Sequence, residues 1–202
     1  LVASWRGDRT AREEGRVTLN LLAHIDLFGT IIFPLLLLLT GSGFLFGWAK
    51  PVPVTVSRLK NPARDHIYVS LAGVLSNVLL GVAFGLVYLL MELALGGAIS
   101  RTSPLASFAA SVQRMAYYGI HINALLAAFN ILPIPPLDGS WVLYRLLPAD
   151  LAVSYSSIFP YGFLILIFLM MTGVIRAILF PIYRLIWGII AGIVNLVSLI
   201  HI

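Results

Sequence analysis

The chain has 202 residues, of which 60% are hydrophobic and only 10% charged, and its mean hydropathy is +0.99. A soluble domain runs nearer half apolar and a quarter charged, and several stretches approach the roughly 20 apolar residues that cross a bilayer, so composition excludes an ordinary water-soluble protein. The net charge of +5 is what basic loops on one side of a membrane produce and calls for no nucleic-acid partner; with no cysteine, disulfides and thiolate-held zinc are excluded.

Residues 1–26 carry Arg6, Arg9, Arg12 and Arg16, and the alternation of Val17, Leu19 and Leu21 predicts a short strand at the membrane surface. The opening "LVASWRGDRTAREEG" does not have the basic-then-apolar order of a signal peptide; it is expected to continue from a preceding segment. Residues 27–46, "LFGTIIFPLLLLLTGSGFLF", are long enough to span, but Pro34 and the "TGSG" at 40–43 interrupt them. Both flanks are basic, the second through Lys50, Arg58, Lys60 and Arg64. Because basic loops favour the cytoplasm, a re-entrant hairpin fits this segment better than one straight crossing.

Residues 66–95 predict a spanning helix. Gly73, Asn77, Gly81 and Gly85 recur every fourth position and make one small-residue face with a single amide. The glycines read as packing against another helix, whereas Asn77 needs a hydrogen-bond partner, which a substrate could supply. A polar loop is expected over 96–115, a returning helix over 116–132, a loop over 133–155, and two further helices near 156–175 and 178–200. Gly188 and Gly192 stand at GxxxG spacing in the last, again read as packing.

After Asp65 the only acidic residues are Glu92, Asp138 and Asp150. Asp138 stands out because an ionisable group at membrane depth is costly to keep there. Pro133, Pro135 and Pro136 end the helix that carries Asn123 and Asn130, and Gly139 lets the chain turn at once after the carboxylate. A carboxylate held near an amide suits a hard metal ligand beside a hydrogen-bond donor. An aspartate capping a helix that starts near Ser140 explains the same spacing, and the residues alone do not choose between the two. His24, His66, His121 and His201 include no pair at i, i+4; His121 reads as an interior histidine with its hydrogen bonds satisfied, and His24 as a structural one in a surface turn.

"NILPIPPLDG", 130–139, resembles the second signature of the site-2 protease family of intramembrane zinc metalloproteases, peptidase family M50. "AGVLSN", 72–77, resembles that family's AGPxSN helix start, and "LAHIDLFGT" and "FGWAKPVPV" resemble its bacterial branch with a hydrophobic insert. The four motifs lie in the family's order over roughly residues 1–145. The resemblance implies a Zn2+ cofactor with Asp138 as third ligand, Asn130 as a catalytic amide, and Asn77, Pro135 and Gly139 facing the substrate. It also implies cleavage of transmembrane segments of membrane proteins by metal-activated water. The implied fold is an all-α integral membrane protein: a polytopic helical bundle with a re-entrant hydrophobic hairpin and a short membrane-surface β region. It forms one peptidase domain, 1–202, with a strand and hairpin region to 65, core helices over 66–145 and C-terminal helices over 146–202. Its expected place is a bacterial inner (plasma) membrane, with the lipid bilayer and a substrate helix as partners.

Two departures matter. Val74 stands where the family has proline, which is expected to alter only helix entry. No HExxH, the motif that supplies two histidine ligands and a glutamate base, occurs in these residues; it is expected just before Leu1 in the parent protein. Two rival functions remain: a protease-like scaffold that holds a membrane partner without cutting it, and a small transporter lined by Asn77, His121, Asn130 and Asp138. An HExxH upstream would argue against the first. Inverted repeats would favour the second, and none is visible.

Overall fold

A computed structural model describes residues 1–18, 20–41, 45–95 and 104–200. Regular structure among them is entirely helical, and the chain falls into two compact units, Leu1–His66 and Ile67–Ile202.

The first unit is built from short turns that polar side chains tie together. Helices α1 (Val2–Trp5) and α2 (Thr10–Glu13) flank Asp8, which is fully buried. Its carboxylate accepts hydrogen bonds from the Thr10 N–H at 3.0 Å, the Thr10 hydroxyl at 2.5 Å and the Thr55 N–H at 2.8 Å. Burial pushes this carboxyl up, but those bonds and the nearby Arg58 guanidinium outweigh it and hold Asp8 below the usual carboxylate range. Arg16, 9% exposed, donates to the carbonyls of Ala23, of Lys50 at 2.8 Å and of Pro51 at 3.3 Å.

The β region expected at Val17, Leu19 and Leu21 is not found among the described residues; Leu19 lies outside them. Instead, the Asn20 side chain accepts from the Leu22 N–H at 3.1 Å and caps a 3-10 turn, Leu21–His24. An asparagine that binds its own backbone two residues on favours a turn over an extended strand. His24 has the structural role expected of it: Nε2 donates to the Thr18 carbonyl at 3.0 Å.

Residues 27–48 double back. Asp26 accepts from the Gly29 N–H at 2.6 Å and opens a π-helical turn, Leu27–Ile32, which runs into α3 (Phe33–Leu39). At about 20 Å this arm is too short for a hydrocarbon core of about 30 Å. The chain then returns beside its own start: Trp48 N–H donates to Gly29 O at 3.0 Å, and Lys50 N–H to His24 O at 2.9 Å. Phe28, Phe33, Phe46 and Trp48 cluster between the arms in stacked, tilted and edge-on contacts, with ring centroids 5.4 Å apart for Phe33 and Trp48.

The second unit is helical, built from most of α4 (Pro62–Leu93) and from α5 (Pro104–Asn130), α6 (Asp138–Leu146), α7 (Ala149–Ser156), α8 (Gly162–Met171) and α9 (Val174–Ile200). Among the described residues, three segments are long and apolar enough to cross a membrane: Pro62–Leu93, Ala149–Met171 and Val174–Leu199. Two expected loops are in fact helical. Residues 104–115 belong to α5, where Pro104 suits the first helical position and alanine offsets the serines' weak preference; 96–103 lie outside the described residues. Residues 138–146 and 149–156 form α6 and α7, separated by the extended Leu147 and Pro148.

Val74 of α4, Ala124, Ala127 and Ala128 of α5, and Ile186 and Ile190 of α9 form one core. Small residues let the helices close. A Cβ on Gly81 would lie 2.6 Å from Ile190 Cδ1, and one on Gly85 would strike Val194, so α4 and α9 run side by side in the same direction. Gly119 of α5 meets Phe84, and Tyr117 meets Tyr88, which sets α5 antiparallel to both. The packing role expected of Gly81 and Gly85 is present. That expected of Gly188 and Gly192 is not, since nothing described lies within 4 Å of a Cβ built at either: their face of α9 points away from α4 and α5.

Candidate active site

Helix α5 stops at Asn130 because Pro133, Pro135 and Pro136 follow within a few residues. The seven residues between α5 and α6 are nevertheless well bonded. Leu132, Ile134, Leu137 and Ser140 donate backbone N–H groups to Phe129, Leu132, Ile134 and Leu137 in turn, at 2.9–3.1 Å. Leu132 is fully buried and Leu137 nearly so. The Pro135–Pro136 bond is cis, Pro135 is buried, and its carbonyl lies 2.5 Å from where a Gly162 Cβ would sit. The Tyr155 hydroxyl donates to Pro133 O at 3.0 Å. The segment is a fixed platform.

Asp138 is the first residue of α6, and the N-cap position belongs to Leu137, with no side-chain cap bond. The capping explanation therefore fails. The Ser140 hydroxyl, which is fully buried, donates to Leu137 O at 2.6 Å, leaving the carboxylate out of the local bonding. Among the described residues the half-buried Asp138 carboxylate has no hydrogen bond and no ion pair. The side-chain amides of Asn77 and Asn130, also half-buried, likewise have no hydrogen bond there. Half-buried polar groups that the fold leaves unused are costly unless something else engages them.

Gly139 is required for a reason other than turning. Its Cβ would run into the Ile131 carbonyl and come within 2.6 Å of Leu132 O. These are backbone atoms that cannot swing away, so the position needs space, and Gly139 shows no positive φ. Gly73 is the residue that sequence reasoning treated only as packing. A Cβ there would lie 3.0 Å from Asp138 Oδ2, so α4 sets its first glycine against the carboxylate, with Asn77 one turn further along the same face. The AGVLSN and PPLDG motifs thus meet in space; the signal lay in two motifs that each combine a glycine with a polar residue. Val74 lies well inside α4 and packs in the core; the expectation that it affects only helix entry is corrected.

His121 is not beside these groups in any recorded contact. Its Nδ1 is hydrogen-bonded to the Tyr183 hydroxyl, and its ring stacks on Trp187 at 6.2 Å and 9°, as expected for a satisfied histidine. His66 is buried in the first unit, and His201 lies outside the described residues. No group of three His, Cys, Asp or Glu side chains is close enough to hold a metal among the described residues. Asp138 fits zinc as one hard oxygen donor, free of competing bonds; by itself it is only part of a ligand set.

The sequence profile described as Peptidase family M50 matches residues 13–173. A protein of Bacillus subtilis (strain 168) named "Putative zinc metalloprotease YwhC" is 35% identical over 175 residues, covering 87% of this chain and 74% of that protein. One of Methanocaldococcus jannaschii named "Putative zinc metalloprotease MJ0611" is 31% identical over 115 residues, covering 57% of this chain and half of the relative. No solved structure matches. A family profile spanning most of the chain, over residues that include both motifs meeting at Asp138, leaves one assignment: the chain is a member of peptidase family M50.

Proposed function

We propose that this chain belongs to an intramembrane zinc endopeptidase, with Asp138 as a metal ligand and transmembrane segments of membrane proteins as substrates. The observation that supports it is the half-buried Asp138 carboxylate, which the fold neither caps nor pairs, beside a glycine that leaves it room. Zinc, when bound, supplies an activated water and a polarised scissile carbonyl. Asn130, on the last turn of α5, offers its amide to hold the substrate carbonyl in place. Asn77, one turn beyond Gly73, offers a second amide to the unwound substrate backbone. Pro135 and Gly139 are buried and act by fixing the wall over which the substrate lies.

A transmembrane helix shields its own peptide bonds, so the substrate must unwind before cleavage. The hairpin of 27–48 re-enters the membrane in this reading, with its irregular backbone sheltered as such depth requires. The place of work is a bacterial inner membrane. Two further ligands and a base complete the site, in the HExxH pattern of the resemblance.

The test uses the full-length protein in its membrane. Asp138→Asn should lower zinc content, measured by elemental mass spectrometry, together with proteolysis of a membrane-embedded reporter; full zinc content in that variant would remove Asp138 from the ligand set. Asn130→Ala should keep the zinc and reduce cleavage about a hundredfold. Loss of metal from that variant would instead make Asn130 a structural residue.

A further inference from the structure

Away from Asp138, α5 and α9 enclose a surface groove of about 530 Å³, lined among others by Tyr117, His121, Leu125, Arg176, Leu179 and Phe180. A second concavity of about 410 Å³ opens beside it at the start of α9, lined by Gly173, Arg176, Ala177, Phe180 and Pro181. Arg176 and Phe180 belong to both, so a cation stands where the larger apolar groove meets the smaller concavity. Arg184 adds a second cation: its guanidinium lies over the Phe180 ring at 5.6 Å. Arg176, Phe180 and Arg184 follow at i, i+4 and i+8, which places them along one stripe of the helix.

Neither guanidinium has a carboxylate. The acidic residues after Asp65 are Glu92, Asp138 and Asp150, none of them lines either concavity, and Arg176 and Arg184 make no ion pair among the described residues. Two exposed cations on an apolar helix that is long enough to span a membrane are expensive unless an anion meets them. The other end of the groove is aromatic and weakly polar: His121 bonds the Tyr183 hydroxyl, and the Tyr117 ring packs edge-on to His121 at 4.3 Å, the amphipathic side chains that sit at a membrane interface.

From this we infer that the α5–α9 groove is a binding site for a phospholipid with an anionic headgroup. Arg176 and Arg184 take the phosphodiester, which guanidinium groups grip through paired N–H donors. One acyl chain lies along Leu125 and Leu179. Basic pockets between membrane helices select anionic headgroups by this chemistry, and the apolar groove is what a free phosphate could not use. The site shares no residue with the Asp138 platform, so the proposal stands or falls independently of the proteolytic one.

The experiment is native mass spectrometry of the full-length protein offered phosphatidylglycerol and phosphatidylcholine with identical chains. Phosphatidylglycerol should be retained preferentially, and Arg176→Gln with Arg184→Gln should cut that preference about thirtyfold, at about 1 kcal/mol per cation. Arg176→Lys with Arg184→Lys should keep most of it. An unchanged preference in the glutamine variant places anionic lipid elsewhere on this basic chain and overturns the site. Displacement of the lipid by inorganic phosphate would overturn it too. A photocrosslinking residue at Leu125, activated in native membranes, should yield a phospholipid adduct; a polypeptide adduct would give the groove to a protein helix instead.

Discussion

The two units solve one problem in opposite ways. In Ile67–Ile202 the backbone is helical and satisfies itself, so the elements need only approach closely, and glycine and alanine at Gly81, Gly85, Gly119, Ala124, Ala127 and Ala128 allow it. In Leu1–His66 the backbone is irregular, and charged and hydroxyl side chains supply the missing bonds: Asp8 to two backbone N–H groups, Asp26 to another, Arg16 to three carbonyls. Deleting a polar side chain such as Asp8 or Arg16 strikes at the bonding of the first unit, whereas adding a methyl at Gly81, Gly85 or Gly119 strikes at the helix packing of the second. A membrane-type composition therefore does not imply one kind of stability.

That contrast can be pressed hardest at Gly139. Gly139→Ala should cost about 3 kcal/mol or more, because the clash is with fixed carbonyls, and the loss should appear as a lower midpoint of thermal unfolding in detergent micelles. Asp8→Asn should cost less, and its signature is pH dependence. Asp8 has a depressed pKa in the folded state, so its contribution is complete above the unfolded value of about 3.9 and fades as pH falls through the folded one. The native protein should lose stability below about pH 4, whereas the variant, lacking that contribution throughout, should show a flatter profile over the same range. At Gly188 the expected effect is smallest and opposite in sign: with nothing described within 4 Å, Gly188→Ala should stabilise by about 0.5–1 kcal/mol through helix propensity alone. A destabilised Gly188→Ala would mean that the GxxxG face of α9 is packed after all.

Long apolar runs made the spanning helices legible, and the proline run made the end of α5 legible to within two residues, at 132 expected against Asn130 found. Asp138 was visible as an aspartate in an apolar setting, but the choice between cap and ligand was not, because it depends on whether the Ser140 hydroxyl or the Asp138 carboxylate serves the turn. Gly73 could be seen only as one of a stripe of glycines; its distance to Asp138 is a contact between residues far apart in sequence, which no local pattern encodes. Asp8 was hidden for the same reason, since one of its three hydrogen bonds comes from Thr55. The strand expected near Val17 is not found among the described residues, where a single asparagine caps a turn instead, and α6 and α7 lay hidden in the loop expected over 133–155, glimpsed only as a helix starting near Ser140, because proline-rich flanks look like loop on either side of a short helix.

Arg16 has one more consequence, for ionic strength. The stem of the hairpin at 23–24 and 50–51 is held by a buried guanidinium bonded to carbonyl dipoles, with no carboxylate in the contact for salt to compete with. Exposed ion pairs weaken as salt screens them, over a Debye length of about 8 Å under physiological conditions; a buried charge among backbone dipoles is largely spared. The Arg58–Glu13 pair, exposed on both sides at 2.7 Å, will loosen in a salty medium, while the hairpin stem keeps its spacing whatever the ionic strength.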